Sequence, residues 1–372
     1  MRNKEEINIS LIAKESGVSI ATVSRVLNGN VPVSREKRQR VEEIIEKYNF
    51  TPNSLARSLI RKETKTLGVI LPDISNPYFA SMFLEIERIA LAEGYSVFLC
   101  NTLYGGSSHG IPNTRKEAYF FDLMIDKQAD GVLIIGGQVD MINVEEEYRQ
   151  ALKNLCKRLP VVIVGKEIPD VGGIFIQNET GFGVTSAVKY LHRLGHEKIA
   201  FVGGQPGVTI TKIRLDAYEK VLNDLGLDFD ENLISLSDYY VDAGYSAMER
   251  LLDLEEAFTA FISMNDSVAL GAIRCLGDHG YSVPQDKAVI SCDQFAGAAY
   301  QMPRLTGINQ HHEVLASIVV HSLINAINDI KEPISRVITP ELIIRESCGT
   351  ALASSTHFGI SAIDSHTNTE KR

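Results

Sequence analysis

Short apolar runs alternate with helical patterns from Thr66 onward, and this alternation limits the fold of most of the chain. The apolar runs cover residues 67–71, 95–100, 131–135, 161–164, 199–202, 260–264 and 288–292. Strands that alternate with helices form βαβ units and parallel sheets. Because this stretch is too long for one doubly wound domain, we expect an α/β body of two parallel-sheet lobes. A ligand cleft is expected between the lobes, at the carboxyl ends of the strands.

The first fifty residues predict short helices instead. Ile9, Ile12 and Ala13 fall at i, i+3 and i+4, on one face of a helix. Gly17 can take the left-handed conformation that ends a helix, and the next helical pattern covers residues 20–28. With a third helix after Ser34, the pattern predicts an all-α helix-turn-helix domain, whose second helix enters the major groove of DNA. A structural helix bundle is the alternative.

The exposed face of the predicted second helix favours DNA binding, because it is small and polar. The hydroxyls of Thr22 and Ser24 suit phosphates, and Arg25 suits a guanine edge. The charge distribution points the same way. Residues 1–65 contain thirteen Lys and Arg against eight Asp and Glu, whereas the remainder carries a net charge of -15. We therefore expect a basic DNA-binding module attached to an acidic body.

The composition excludes several other classes of protein. No run of 18 uncharged apolar residues occurs, and the N-terminus lacks the apolar stretch of a signal peptide. The five cysteines are scattered and lack CxxC spacing, which indicates free thiols instead of disulfides or a zinc site. We expect a cytoplasmic protein with no cofactor and no metal.

The predicted domains follow from these patterns. Residues 1–50 are expected to form the helix-turn-helix DNA-binding domain, and residues 51–64 a hinge helix and linker. Residues 65–350 would form a two-lobed effector-binding and dimerisation domain, and residues 351–372 a flexible tail. A helix as brief as the one expected at 54–62 is marginal in water unless packed, so this segment is a candidate switch.

The chain resembles the LacI/GalR family of bacterial transcriptional repressors, and the resemblance extends in order to about residue 348. In the first sixty residues it depends on residues 12–13, 16–19 and 22–28, with Asn53, Ala56, Arg57 and Leu59. Further matches are residues 68–70, 76–79, 194–196, 265–266, 269, 271, 283–284, 293, 305–306 and 310. The resemblance implies a helix-turn-helix head and a periplasmic-binding-protein-like sensor body. It also implies a homodimer that binds a near-palindromic operator under the control of a small-molecule effector.

The resemblance also assigns the DNA contacts. Ile20 and Ala21 would face base edges, where apolar side chains can touch only thymine methyls, so Arg25 would do most of the hydrogen-bonded reading. In relatives the hinge helix lies in the minor groove, and the residue matching Leu59 wedges between base pairs. The predicted DNA-binding residues are Ser19, Ile20, Ala21, Thr22, Ser24, Arg25, Asn28, Asn53, Ala56, Arg57 and Leu59.

Six residues match effector contacts of the family: Tyr78, Phe79, Arg214, Tyr239, Asn265 and Asp293. Guanidinium, amide and carboxylate groups pair with adjacent hydroxyls while a ring covers C–H surfaces, so the set suits a sugar or sugar derivative. A surface salt bridge between Arg214 and Asp293 is the alternative for that pair.

The sequence departs from the family pattern at several positions, which leaves the effector's identity open. Gly165 stands where some relatives have an acidic ligand residue, and Cys292 stands where an aromatic is common. Gln294 follows Asp293 in place of a second acid or an asparagine, and residues 103–113 form an insertion.

Other functions remain as alternatives. The chain lacks GxGxxG, GxxxxGK[ST] and HExxH, so we expect no enzyme. His311, His312 and Glu313 resemble a metal cluster, but adjacent helical side chains point apart. A sugar-binding protein or an α/β enzyme without DNA regulation, and a structural scaffold, are the competing interpretations. The sequence favours a ligand-responsive transcriptional repressor.

Overall fold

The structure is a computed structural model that describes residues 7–28, 32–48, 50, 63–103, 117–254, 257–330 and 338–350. The chain divides into two compact units, Met1–Lys65 and Thr66–Arg372. All five cysteines are free thiols. Within the described ranges, no helix combines the length and the apolar character needed to cross a membrane.

The first unit contains the three predicted helices, α1 (Ile9–Ser16), α2 (Ile20–Asn28) and α3 (Arg35–Tyr48). The Asn8 carboxamide oxygen caps α1 by accepting the backbone N–H groups of residues 10 and 11 at 3.0 Å each. Gly17 ends α1 with a φ of 65°, which confirms the predicted left-handed turn. The core contains Ile12, Ala13, Val23, Val26 and Val41.

The second unit alternates strands with helices, as predicted. Its strands are β1 (Thr66–Leu71), β2 (Ser96–Asn101), β3 (Gly131–Ile135), β4 (Val161–Val164), β5 (Ile174–Ile176), β6 (Ile199–Val202), β7 (Ile234–Ser235), β8 (Ala260–Ser263), β9 (Ala288–Ser291), β10 (Gly307–Asn309) and β11 (Glu341–Ile343). Its helices are α4 (Pro77–Ala92), α5 (Ala118–Asp126), α6 (Glu146–Arg158), α7 (Thr180–Arg193), α8 (Thr209–Leu225), α9 (Val241–Asp253), α10 (Asp266–Asp278) and α11 (His312–Ile327). Short 3-10 helices cover Gly137–Asp140, Glu231–Leu233 and Ala296–Tyr300.

Two separate sheets form, which confirms the predicted pair of lobes. The first has the order β2-β1-β3-β4-β5 and is parallel throughout. The second has the order β11-β10-β9-β8-β6-β7 and is parallel except between β10 and β11. We call the lobe of the first sheet the N-lobe and that of the second sheet the C-lobe. All seven predicted strands are present, whereas β5, β7, β10 and β11 were not predicted.

The last helix, α11, belongs to the N-lobe although it follows β10 of the C-lobe. Its apolar face lies in the core of the first sheet, where Leu315, Ala316, Val319, Val320 and Leu323 are buried with Leu67 and Val69. A Cβ on Gly131 of β3 would lie 2.8 Å from Leu323, so this position needs a residue without a side chain. After α11 the chain returns to the second sheet as β11.

Candidate functional site: a DNA-binding face and an effector cleft

The predicted DNA-reading residues of α2 lie on the surface of the first unit. Ile20 is 50% exposed, and Ala21 and Arg25 are exposed as well, while Val23 and Val26 face the core. The face therefore presents one apolar patch and one cation, as a reader of thymine methyls and guanine edges requires.

Two hydroxyls at the start of α2 are paired with each other. Ser19 Oγ lies 2.9 Å from Thr22 Oγ1 and accepts the Thr22 backbone N–H at 3.2 Å. Contact between these hydroxyls and a DNA phosphate would add to the hydrogen bonds between Ser19 and Thr22 or replace them. The side chain of Asn28 and the hinge residues Asn53, Ala56, Arg57 and Leu59 lie outside the described residues.

The predicted effector residues of the second unit follow the carboxyl ends of strands in both lobes. Tyr78 lies in the first turn of α4 after β1, where the Asn76 side chain accepts its backbone N–H at 3.0 Å. Asn265 caps α10 after β8, and Asp293 follows β9. Asn265, Asp293 and Tyr78 line one pocket, together with Asn76, Pro77, Ser81, Asp266, Ser267, Gln294, Phe295 and His312. Because residues of both lobes line it, we call this pocket the cleft; it lies where the sequence predicts the effector.

Arg214 and Asp293 form a buried ion pair, so the alternative of a surface salt bridge is wrong. The Arg214 Nη2 atom lies 2.8 Å from Asp293 Oδ1, and the two side chains are 5% and 12% exposed. The guanidinium also donates to the backbone oxygens of Met264 and Cys292. Burial lowers the pKa of Arg214, but the nearby Asp293 carboxylate raises it above its usual value, so the group stays charged.

Several buried polar atoms near this pair have no hydrogen-bond partner among the described residues. They are Arg214 Nε, Asp266 Oδ1, Gln294 Oε1, Gln310 Oε1 and His312 Nε2. A buried polar atom left unpaired costs about 1–3 kcal/mol, and the cost is removed when a polar ligand pairs with it. The cleft thus offers both donors and acceptors.

Asn265 and Tyr239 hold each other in place. The Asn265 side chain accepts the Val268 N–H at 2.9 Å and donates to the Tyr239 backbone oxygen at 2.9 Å. The Tyr239 hydroxyl lies 2.9 Å from Thr211 Oγ1, and burial raises its pKa to about 12. Asn265 therefore has one amide hydrogen left for a ligand, and Tyr239 can offer its ring.

Phe79 and its neighbour Tyr78 both pack against the N-lobe core, and their rings meet edge-on at 5.1 Å. A Cβ on Gly136 would lie 2.8 Å from the Phe79 ring. The Tyr78 ring also meets the His312 ring edge-on at 4.9 Å. Burial lowers the pKa of His312 below its usual value.

Sequence reasoning did not assign Asp266, Gln310 or His312 to the cleft. Asp266 and His312 line it, and Gln310 bonds to the backbone of a neighbouring residue. Gln310 Nε2 donates to the Cys292 backbone oxygen at 2.8 Å. Burial and the nearby Asp293 raise the pKa of Asp266 to about 7. The position of His312 depends on the return of α11 to the N-lobe, which no local pattern indicates.

The two lobes are joined at two places beside the cleft. The Tyr240 hydroxyl of the C-lobe donates to Asp73 Oδ2 of the N-lobe at 2.6 Å. The Ile142 N–H of the N-lobe donates to the Gly207 oxygen of the C-lobe at 2.9 Å, next to a bridge between Met141 and Val208.

Space inside the cleft is small. The pocket around Tyr78 and Asp293 has a volume of about 10 Å³, enough for one water molecule at most. A cavity of about 290 Å³ adjoins it and shares Ser81, Phe295 and His312. An effector that reaches Arg214 must therefore separate the lobes or move side chains.

Comparison with known proteins gives the same two parts. Residues 8–53 match the model of bacterial regulatory proteins of the lacI family, and residues 188–348 match a periplasmic binding protein-like domain. Catabolite control protein A of Priestia megaterium is 34% identical over 328 residues, which cover 87% of this chain and 93% of that protein. The transcriptional repressor PurR of Histophilus somni (strain 129Pt) is 32% identical over 343 residues, which cover 91% and 98%.

Solved structures agree on the fold. The Lac repressor dimer bound to operator and the anti-inducer ONPF matches with a TM-score of 0.79 at 22% identity, over 92% of this chain and 99% of that one. The transcriptional regulator CelR in complex with cellobiose matches with a TM-score of 0.65 at 25% identity, over 92% and 100%.

Proposed function

Since the chain belongs to the LacI family of bacterial regulatory proteins and is a ligand-responsive transcriptional repressor, we propose how its parts share this function. A homodimer binds a near-palindromic operator through the exposed face of α2 and through the hinge at 51–64. A sugar or sugar derivative in the cleft controls this binding. The buried Arg214–Asp293 pair is the observation that carries the effector site.

The chemistry of the cleft supports a sugar. Besides the paired guanidinium and carboxylate, Gln310 Oε1 and Arg214 Nε lack partners among the described residues. The site therefore has both an acceptor and a donor for sugar hydroxyls, each of which can donate and accept. The rings of Tyr78 and Tyr239 supply apolar surface. The cellobiose-bound regulator shows that a relative of this fold holds a sugar.

Exposed apolar side chains of the N-lobe support a dimer. Leu84 and Leu91 are 62% and 60% exposed and lie seven residues apart on α4, and Phe98 of the edge strand β2 is 37% exposed. Seven residues are about two helical turns, so both leucines occupy one face. A second copy that covers this face would remove apolar surface from water.

The inter-lobe contacts suggest how the effector acts. An effector between the lobes changes the Tyr240–Asp73 hydrogen bond and the Met141–Val208 bridge, because both join the lobes at the cleft. The relative position of the lobes then sets the spacing of the two hinges in the dimer, which order on the operator or melt. Catalysis is not part of the proposal, since the relatives named above are regulators.

Operator binding of the full chain tests the proposal. Promoter fragments from the source genome are titrated by fluorescence anisotropy, with and without a panel of sugars. Arg25→Ala is expected to weaken specific binding about tenfold or more, because it removes a contact to a base edge. Arg274→Ala, an arginine of α10 in the C-lobe whose side chain is 73% exposed, is the matched control. Equal binding by both variants, or no response to any sugar, would contradict the proposal.

A further inference from the structure

We propose that Asp140 is a further effector-binding residue, and that it makes the cleft select a neutral or cationic polyhydroxy effector over a phosphorylated one. The inference rests on the proposed sugar-binding function. It concerns a side chain that neither the family pattern nor the sequence analysis assigned.

Asp140 occupies space that Gly165 leaves open. Asp140 ends the short helix Gly137–Asp140 after β3, and Gly165 follows the neighbouring strand β4. A Cβ on Gly165 would lie only 3.2 Å from Asp140 Oδ1. A side chain at 165 and the carboxylate of Asp140 would therefore compete for one place. The acid missing at 165 is replaced by an acid from the adjacent strand end.

Asp140 lies at the end of the short helix after β3, directly before the Met141–Val208 bridge that joins the two lobes. It interacts electrostatically with Tyr78 of the N-lobe and with Tyr239 of the C-lobe. Within the described part of the chain, its carboxylate oxygens take part in no hydrogen bond or ion pair. Burial and the nearby Glu117 raise its pKa to about 7, and the residue keeps partial exposure to solvent.

Glu117 cannot take this role, although it is also a buried carboxyl group. Its two oxygens accept the Tyr148 hydroxyl at 2.7 Å and the Gln138 N–H at 3.0 Å. Both partners belong to the N-lobe, and Glu117 is 2% exposed. Asp140 is thus the member of the pair that is free to accept from a ligand hydroxyl or ammonium group.

The position of Asp140 also couples it to lobe closure. The next residue, Met141, bridges Val208 of the C-lobe, and the Ile142 N–H donates to the Gly207 oxygen at 2.9 Å. A ligand held by Asp140 is therefore held at the edge where the lobes meet.

The charges of the cleft decide the class of effector. Its buried cation, Arg214, is already neutralised by Asp293 at 2.8 Å. Among the described residues, the Asp140 carboxylate and one oxygen of Asp266 have no hydrogen-bond partner. Their pKa values of about 7 leave part of each group ionised at neutral pH, and a phosphate at short range would repel this ionised fraction. Hydroxyl and ammonium groups can donate to them instead.

Calorimetric titration of the full chain with four probes tests the inference: cellobiose, ribose, glucosamine and glucose 6-phosphate. For the wild type, we expect one of the three unphosphorylated sugars to bind most tightly. Asp140→Asn keeps the shape and removes the charge, and Asp140→Ala removes the acceptor. We expect Asp140→Ala to weaken that sugar about tenfold or more, and Asp140→Asn to tighten glucose 6-phosphate relative to the wild type. Glu167→Gln, an exposed acid two residues from Gly165, is the control and should change neither affinity.

The possible outcomes distinguish failure of the Asp140 role from failure of the proposed sugar-binding function. If a sugar binds the wild type and Asp140→Ala equally, Asp140 is no ligand residue and the inference fails alone. If glucose 6-phosphate binds the wild type most tightly, the proposed effector class is overturned. If none of the four binds while operator binding is intact, the sugar effector fails and the role of Asp140 falls with it.

Discussion

Asp293→Ala removes the partner of the buried Arg214 guanidinium, and we expect it to lower the free energy of unfolding by about 3–5 kcal/mol. The magnitude follows from burial. With Arg214 only 5% exposed, the charge left behind is not solvated by water. Its other acceptors among the described residues are the backbone oxygens of Met264 and Cys292 and the Met264 sulfur, which carry no net charge.

The same helix offers a matched control that separates burial from distance. Lys212 and Asp216 of α8 also form an ion pair, with an N–O distance of 2.9 Å, but their side chains are 58% and 59% exposed. Asp216→Ala is expected to cost at most about 1 kcal/mol, because water and salt screen an exposed pair.

Urea unfolding of the full chain without sugar, followed by circular dichroism, measures both variants. The unfolding midpoints of the second unit are compared between variants. The comparison requires that the slope of the free energy of unfolding against urea concentration is the same in each. Asp293→Asn repeats the test with the shape preserved. If Asp293→Ala cost no more than Asp216→Ala, Arg214 would have to be hydrated, and the cleft would not be the water-poor site described above.

Three more predictions concern the DNA contact, a buried carboxyl group and the dimer. Leu59→Ala is expected to weaken operator binding while sugar affinity stays nearly unchanged, because an apolar wedge contacts DNA alone; a gel-shift titration with unaltered affinity would refute the wedge. Burial raises the pKa of Glu117 from 4.5 to about 7, so the folded chain keeps a proton that the unfolded chain releases. The contribution of the protonated Glu117 to the free energy of unfolding is fully present below about pH 4.5 and is lost as the pH rises to about 7. Glu117→Gln should therefore reduce the loss of stability between these values, measured by thermal unfolding, and a slope as steep as that of the wild type would assign the loss to other groups. Leu91→Glu is expected to shift the protein to monomers in analytical ultracentrifugation. Leu254→Glu, at a 53% exposed leucine of the C-lobe, is the control and should leave the dimer intact. Identical behaviour of the two variants would exclude α4 from the interface.

Local patterns were sufficient for most of the fold. The bounds of α2 and the left-handed Gly17 were both predicted, because each depends on residues within one turn. The seven longer strands were also predicted from their apolar runs. The short strands β5, β7, β10 and β11 were missed, since two or three residues show no period.

The site was predicted less completely, for a physical reason. The Arg214–Asp293 pair came from the family resemblance, and sequence alone could not distinguish a buried pair from an exposed one. His312 enters the cleft only because α11 crosses back to the N-lobe. The relation between Asp140 and Gly165 depends on the pairing of β3 with β4, which brings the ends of two strands together.

The return of α11 to the N-lobe makes neither lobe a continuous piece of the gene. A cut between β5 and α7 leaves the first sheet without the helix that buries Leu67 and Val69 on one side, and it leaves the other fragment with an unmatched apolar helix. Each half would expose that surface to water and aggregate. To exchange one lobe between repressors, recombination must therefore carry two separate segments of the gene. It can swap the DNA-binding head far more easily than it can swap a single lobe.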